Sequence, residues 1–151
     1  MLGLKDRIGP REEGSGMAEV EIRETHDFDE QVLSGLFLSV GWSSGHFPER
    51  LVAAMRGFEC VYAAWAEDEL VGLICAMDDH SMTAYVHYLL VSPDYQSLGI
   101  GRELVRRVRE RYADYLRIVV VAYDEELAFY EGCGFTRAEN SSPLFVTSLW
   151  T

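Results

Sequence analysis

The stretch that most constrains this chain is Leu89-Leu90-Val91-Ser92-Pro93-Asp94-Tyr95-Gln96-Ser97-Leu98-Gly99-Ile100-Gly101-Arg102-Glu103-Leu104. An apolar, strand-like run stops at Ser92-Pro93, where proline removes a backbone donor and breaks the ladder. A polar turn follows, and two glycines open a helix whose apolar stripe is Ile100, Leu104, Val105, Val108 and Tyr112. A helix N-terminus carries unpaired N–H groups and a partial positive charge. Glycine at positions 99 and 101 removes the Cβ atoms that would keep an anion from the backbone. A strand, a turn, glycines and a helix in that order therefore make a seat for an anion.

Which anion is narrowed by what the stretch is not. No Gly-Lys-Ser/Thr follows, so it is not a Walker A loop, and Leu104 stands where the dinucleotide fingerprint needs its third glycine. The stretch resembles the acetyl-CoA pyrophosphate loop of the GNAT N-acetyltransferase superfamily. That loop reads Gln/Arg-x-x-Gly-x-Gly/Ala after a strand ending Val-x-Pro, and here it stands as Gln96, Gly99 and Gly101 after Val91-Ser92-Pro93. The resemblance implies acetyl-CoA as cofactor. It would be bound by Gln96, Ser97, Leu98, Gly99, Ile100, Gly101 and Arg102, with Leu89, Leu90 and Val91 alongside.

Composition is compatible with this. The 151 residues, 48% hydrophobic and 12% aromatic, are enough for one domain with a core that needs no staples. No apolar run approaches the ~20 residues of a membrane helix, and the acidic N-terminus does not read as a leader peptide, so a cytoplasmic location is expected. With 13 basic and 25 acidic residues the net charge is −12, which argues against nucleic acid as a partner. A polyanionic cofactor needs local compensation, and Arg102, Arg106, Arg107, Arg109 and Arg111 cluster on the helix after the glycines. Cys60, Cys75 and Cys133 form no Cys-x-x-Cys pair; they read as small buried hydrophobes, and no metal site is expected.

Residues 1–16, with Gly9-Pro10 and Gly14-Ser15-Gly16, read as a flexible extension ahead of a single domain over 17–151, with Met17 an alternative start. Val20 to Arg23 alternates like a strand. Asp27, with Glu30 three residues on, is expected to cap a helix carrying Val32, Leu33, Leu36, Phe37 and Val40. Pro48 opens a second helix that Gly57 closes. Two alternating strands follow, Cys60 to Glu67 and Leu70 to Asp78, and a turn leads to a third from Thr83 to Val91. After the glycine helix, Leu116 to Val121 is a continuous apolar run, expected to be a strand buried on both faces. Asp124 is expected to cap a further helix, and Phe145 to Trp150 to form a last strand, which an exposed edge could pair with a partner chain. The order β-α-α-β-β-β-α-β-α-β agrees with the GNAT order. It implies an α/β (α+β) fold with a mixed, mostly antiparallel sheet of six to seven strands and helices on both faces.

A second segment, Leu127-Ala128-Phe129-Tyr130-Glu131-Gly132-Cys133-Gly134-Phe135, resembles the other GNAT signature, Phe-Tyr on a helix before Gly-Phe. It departs from the commoner form at Tyr123-Asp124-Glu125, where many relatives carry asparagine. The resemblance puts Phe129 and Tyr130 against the cofactor, with Tyr130 facing its sulfur. A thiol has a pKa near 8.5 and a phenol ~10, so complete proton donation would run uphill by ~2 kcal/mol; a hydrogen bond to developing charge is the safer role.

The acceptor amine must lose a proton. An alkylamine of pKa ~10 is neutral only about one part in a thousand at pH 7. His87, mid-strand and four residues before Val91, is the candidate base. A histidine stands at the matching position in the aralkylamine N-acetyltransferase branch of the family. The alternative is a half-buried histidine that only satisfies its own hydrogen bonds. Tyr85 and His87 share a face with Leu89 and Val91 if the strand is regular, and a bulge would break that parity. The segment joining the first two helices commonly lines the acceptor site in the family. Trp42, His46 and Phe47 are therefore substrate candidates, unless Trp42 and Phe47 merely staple two helices together. Asp78, Asp79 and Tyr85 are further substrate-side candidates.

The resemblance thus implies an acetyl-CoA-dependent N-acetyltransferase, in which the primary amine of a small-molecule or peptide acceptor attacks the acetyl thioester directly and displaces the thiol. The chain would be a monomer or homodimer. The alternatives are a non-catalytic acyl-CoA sensor of the same fold, or a protein N-terminal or lysine acetyltransferase.

Overall fold

The computed structural model of the protein describes residues 19–148. The proposed extension over 1–16 and the Met17 start lie outside them. In chain order the elements are β1 (Val20–Glu24), α1 (Glu30–Ser39), α2 (Pro48–Gly57), β2 (Cys60–Ala66), β3 (Glu69–Asp78), β4 (Thr83–Val91), α3 (Ile100–Arg111), β5 (Arg117–Val120) and α4 (Leu127–Gly132). Short 3-10 turns precede α2, α3 and α4. The strands form one sheet in the order β1-β2-β3-β4-β5. The first three pairings are antiparallel and β4–β5 is parallel. That parallel pair needs a crossover, and α3 supplies it.

The sheet separates two cores. On one face, α3 and α4 bury Ile100, Leu104, Val105, Val108, Tyr112 and Tyr130 against Val71, Ile74, Val86, Leu89 and Val91. On the other, α1 and α2 bury Leu33, Leu36, Phe37, Leu51, Val52 and Met55 against Val61, Leu73, Cys75 and Leu90. The central strand β3 is covered on both sides, which its unbroken buried run Leu70–Ala76 reflects. Cys60, Cys75 and Cys133 are all free and buried, and burial pushes the Cys60 thiol up to about 12.

Five expectations change. The sheet has five strands among the described residues, not six or seven. Phe145–Ser148 forms no strand, with Leu144 and Val146 fully exposed, and Leu149–Thr151 lie outside the described residues. β5 is consequently the edge strand, not one buried on both faces: Leu116 is 74% and Val119 40% exposed. A short apolar run looks the same whether a neighbour covers it or not. Helix α1 is capped by Asp29, not Asp27; the Asp29 carboxylate accepts from the amides of Gln31 (2.9 Å) and Val32 (3.1 Å). Asp124 makes no cap bond, because it opens a 3-10 turn that runs into α4 at Leu127.

Candidate active site

The site is built on β4 and the two segments that flank its C-terminal end. β5 pairs with β4 only from Thr83↔Arg117 to Val86↔Val120. Beyond Val86, β4 continues to Val91 while β5 has ended, so His87–Val91 run beside an opening in the sheet. The antiparallel side stays zipped, with Leu89, Leu90 and Val91 opposite Ile74, Leu73 and Gly72. Backbone groups that point away from β3 along this stretch have no ladder partner among the described strands.

At one end of the opening stands the glycine turn. Pro93–Tyr95 makes a 3-10 turn, and the Gln96 side chain donates to the Val91 carbonyl (3.0 Å), tying the turn back to the strand. Ser97 and Gly99 take left-handed backbone angles, φ +67° and +84°. Gly99 is the N-cap residue of α3 and no side chain caps the helix there. The amides of Ile100, Gly101 and Arg102 therefore have no helical acceptor, and the space above Gly99 is open to 4 Å. An uncapped N-terminus with an open glycine is what a pyrophosphate requires, and on this ground the residues fit coenzyme A.

The arginines expected to meet that ligand are engaged elsewhere. Arg102 donates to the Gly132 carbonyl (3.1 Å) and Arg109 to the Cys133 carbonyl (2.8 Å). Arg106 pairs with Glu103 and Glu110, and Arg107 with Glu103. The Arg106 and Arg107 guanidinium groups hold the Glu103 carboxyl down at about 2. Arg111 binds Glu24 and the Glu59 carbonyl. Of the five, Arg102 alone stands in the first turn of α3, beside the uncapped amides.

At the other end of the opening stands His87. The register between β3 and β4 shifts from Cys75↔Tyr88 to Ala76↔Val86, leaving His87 as the extra, bulged residue. Ala84 and Val86 lie in the α3-side core, and so do Leu89 and Val91, so the alternation slips by one at the bulge. His87 accordingly does not share a face with Leu89 and Val91. It faces the α1–α2 side, with its ring centroid 4.2 Å from Tyr88, 5.7 Å from Tyr85 and 5.9 Å from Phe58. Its Nδ1 is buried and has no hydrogen-bond partner among the described residues. Burial pushes its pKa below the ordinary histidine value.

Tyr130 approaches from α4. It is 2% exposed, and its ring packs edge-on against Phe129 (5.2 Å) and Phe135 (5.7 Å). Burial first, then the Glu126 carboxylate, raises its pKa well above the phenol range, with a further contribution from Tyr85. Tyr85 is in ring contact with His87.

The remaining candidates fall in different places. Trp42 is buried in the α1–α2 core against Phe37 and Tyr88, the stapling arrangement. The turn Ser43–His46 docks over β4, with Ser44 Oγ 3.3 Å from the Tyr88 hydroxyl. His46 and Phe47 are exposed on it, and Arg50 lies over the Phe47 ring. Asp78 points to α3 instead, accepting from Tyr112 Oη (2.8 Å) and Tyr115 Oη (3.2 Å). The Asp79 carboxylate organises the β3–β4 hairpin by accepting from the amides of Ser81, Met82 and Thr83. Both aspartates have structural work on surfaces away from His87. Phe58 and Tyr88 wall the site without having been singled out by sequence. Tyr88 was hidden because regular alternation puts it opposite His87, and Phe58 because nothing in the residues after Gly57 marks it.

The site thus combines a mixed sheet that opens beside β4, an uncapped helix N-terminus at one end of the opening and the bulged His87 at the other. A model of the acetyltransferase (GNAT) domain family matches residues 30–144, and the chain belongs to that family. It is 33% identical over 85 residues to GCN5-related N-acetyltransferase 3, chloroplastic, of Arabidopsis thaliana, covering 54% of this chain and 36% of that protein. It is 28% identical over 104 residues to the uncharacterized N-acetyltransferase ycf52 of Pyropia yezoensis, covering 66% and 60% respectively. The chain therefore spans between about a third and three fifths of the length of these relatives. A GNAT-family acetyltransferase of Streptococcus pneumoniae superposes with a TM-score of 0.75 at 22% identity, over 86% of this chain and 99% of that one, which establishes the shared fold. No helix among the described residues is long and apolar enough to cross a membrane.

Proposed function

We propose that the protein is an acetyl-CoA-dependent N-acetyltransferase that acetylates a primary amine by direct attack in a ternary complex. The observation that carries this reading is the opening in the sheet, which joins the uncapped N-terminus of α3 to the bulged His87. The amides around Gly99 and Gly101 would hold the pyrophosphate, and the unpaired backbone of Leu89–Val91 would lie along the rest of the cofactor. When bound, acetyl-CoA supplies an acetyl group on a thiol whose pKa near 8.5 makes it a tolerable leaving group.

The protein's own groups divide the remaining work. Because burial and Glu126 raise the Tyr130 pKa, its phenol keeps its proton and acts as a hydrogen-bond donor toward developing negative charge, not as a full acid. Because burial lowers the His87 pKa, its imidazole is neutral at pH 7 and able to accept the proton an amine must lose. Phe58, Tyr85 and Tyr88 shape the acceptor side, with the exposed His46 and Phe47 at its margin.

Release of free thiol from acetyl-CoA in the presence of a panel of primary amines tests the reading. The panel should span arylalkylamines, polyamines and peptides with free N-termini or lysines. Thiol release above the amine-free rate with at least one member is expected. Binding of acetyl-CoA without release across the panel would favour the non-catalytic acyl-CoA binder instead. Binding itself is read by thermal unfolding, since ligand at a hundred times its Kd adds ~2.7 kcal/mol of stability.

A further inference from the structure

We propose that Arg102 and Arg109 form a two-point clamp from α3 onto the C-terminal end of α4, and that this clamp positions Tyr130. The inference rests on the catalytic reading of Tyr130 given above. Helix α4 has only six residues, Leu127–Gly132, and no side chain caps its N-terminus. A helix that short does not hold itself together in water, so its geometry must be imposed from outside. Two things impose it.

The first is local. Cys133, Gly134 and Phe135 turn back so that their amides reach the carbonyls of Phe129, Tyr130 and Glu131 at 3.0–3.1 Å. The Tyr130 carbonyl accepts from both Cys133 and Phe135. The second comes from α3. Arg102 and Arg109 lie two turns apart on one helix face. Their guanidinium groups donate to the next two carbonyls in line, Gly132 and Cys133, at 3.1 and 2.8 Å. Cations at this end also complement the helix dipole. Arg102 additionally lies over the Phe129 ring at 5.8 Å.

The two glycines of Gly132-Cys133-Gly134 make room for the clamp. A methyl group at Gly132 would stand 3.2 Å from the Arg102 guanidinium, and one at Gly134 2.8 Å from that of Arg109. Gly134 also has φ +91°, which a side chain would resist. The glycines thus account for a feature of the motif that a role in holding cofactor leaves unexplained. Arg102 sits in the first turn after the proposed pyrophosphate seat, so the donor's anchor and the tyrosine that meets its other end share one rigid element.

Arg109 is the residue to test, because it lies far along α3 from that seat. In Arg109→Ala, kcat is expected to fall about tenfold or more, since misplacing a reacting group by ~1 Å can cost a hundredfold, while KM for acetyl-CoA stays within about twofold. Arg109→Lys retains a donor and is expected to recover most of the loss. Amide hydrogen exchange at 130–135 is expected to quicken in Arg109→Ala and not in Arg109→Lys, with β2–β4 unchanged in both. An unchanged kcat, a loss expressed in KM alone, or a lysine variant as impaired as alanine would overturn the proposal. So would unchanged exchange at 130–135. If Arg109→Ala fails to fold, Arg109→Lys and its exchange pattern decide. The exchange readout needs no turnover: if Tyr130→Phe leaves kcat intact, the catalytic reading fails while the clamp is still judged on its own.

Discussion

Gly72 lies directly beneath Ile100: a methyl group on Gly72 would stand 3.2 Å from Cγ2 of Ile100, and 3.5 Å from Cδ1 of Leu104. The missing side chain lets the first turn of α3 settle onto β3, opposite Val91, where the strand enters the glycine turn. Gly72→Val is therefore expected to overpack this contact and destabilise the fold by about 1–3 kcal/mol. A lower denaturant midpoint at constant m-value is the measurement, with acetyl-CoA affinity weakened in parallel because the displaced turn carries the anion seat. An unaltered midpoint would contradict the packing described.

Tyr130→Phe removes one hydroxyl from a fully buried ring. Retained acetyl-CoA binding with kcat lowered about a hundred- to a thousandfold is expected, the range for losing one donor to transition-state charge. Steady-state kinetics alongside a thermal shift separate the two effects. Turnover equal to wild type would remove Tyr130 from the chemistry.

The pH dependence should follow His87. Its folded pKa is lowered by burial, so the neutral, proton-accepting form persists below the ordinary value of ~6.5 and the acid limb of kcat/KM should fall below that pH. His87→Gln is expected to abolish the limb, and a limb of the same position in the variant would assign it to another group. The same shift has a stability consequence. The unfolded state binds the proton more readily than the folded state, so stability rises with pH through this window and is lost as pH falls from ~6.5 through the folded pKa.

Asp78 reaches the same direction by a different cause. Its side chain is 4% exposed. Burial opposes its charge, yet hydrogen bonds from Tyr112, the His80 amide and Tyr115 bring its pKa below the usual carboxylate value. Asp78→Asn is expected to cost about 1–3 kcal/mol, the penalty for a buried network that loses its acceptor, with acetyl-CoA binding unaffected. The stability it contributes is present above the ordinary aspartate pKa and lost as pH falls through the lowered one. Urea unfolding at pH 7 and at about pH 2–3, below the ordinary aspartate pKa of ~3.9, checks both statements, and a wild-type midpoint in the variant at pH 7 would refute them.

The parts of this fold legible in the sequence are those where one local pattern has one physical solution. The apolar stripe of α3, Pro48 opening α2 and the glycine turn after Pro93 are of that kind. What escaped depends on neighbours. Leu116–Val121 is apolar whether or not a strand covers its outer edge, so its exposure could not be read. The Asp27/Asp29 choice is a difference of two residues between equally good caps. The bulge at His87 leaves no mark on composition, yet it turns Tyr88 toward His87. Among the α3 arginines, Arg106 and Arg107 pair with Glu103 and Glu110 within one helical turn, whereas the partners of Arg102, Arg109 and Arg111 lie far off in the chain and are invisible in a linear reading.

The unpaired part of β4 also has a length. From His87 to Val91 an extended chain covers roughly 14 Å, four steps of about 3.4 Å. On the proposed reading that stretch is a ruler, with a phosphate seat fixed at one end and the reacting centre at the other. An acyl phosphate, whose carbonyl and phosphorus share a single oxygen, is too short to touch both. Only a donor that carries its acyl group on a long arm beyond its phosphates can do so, and selection among activated acetyl compounds becomes a matter of reach.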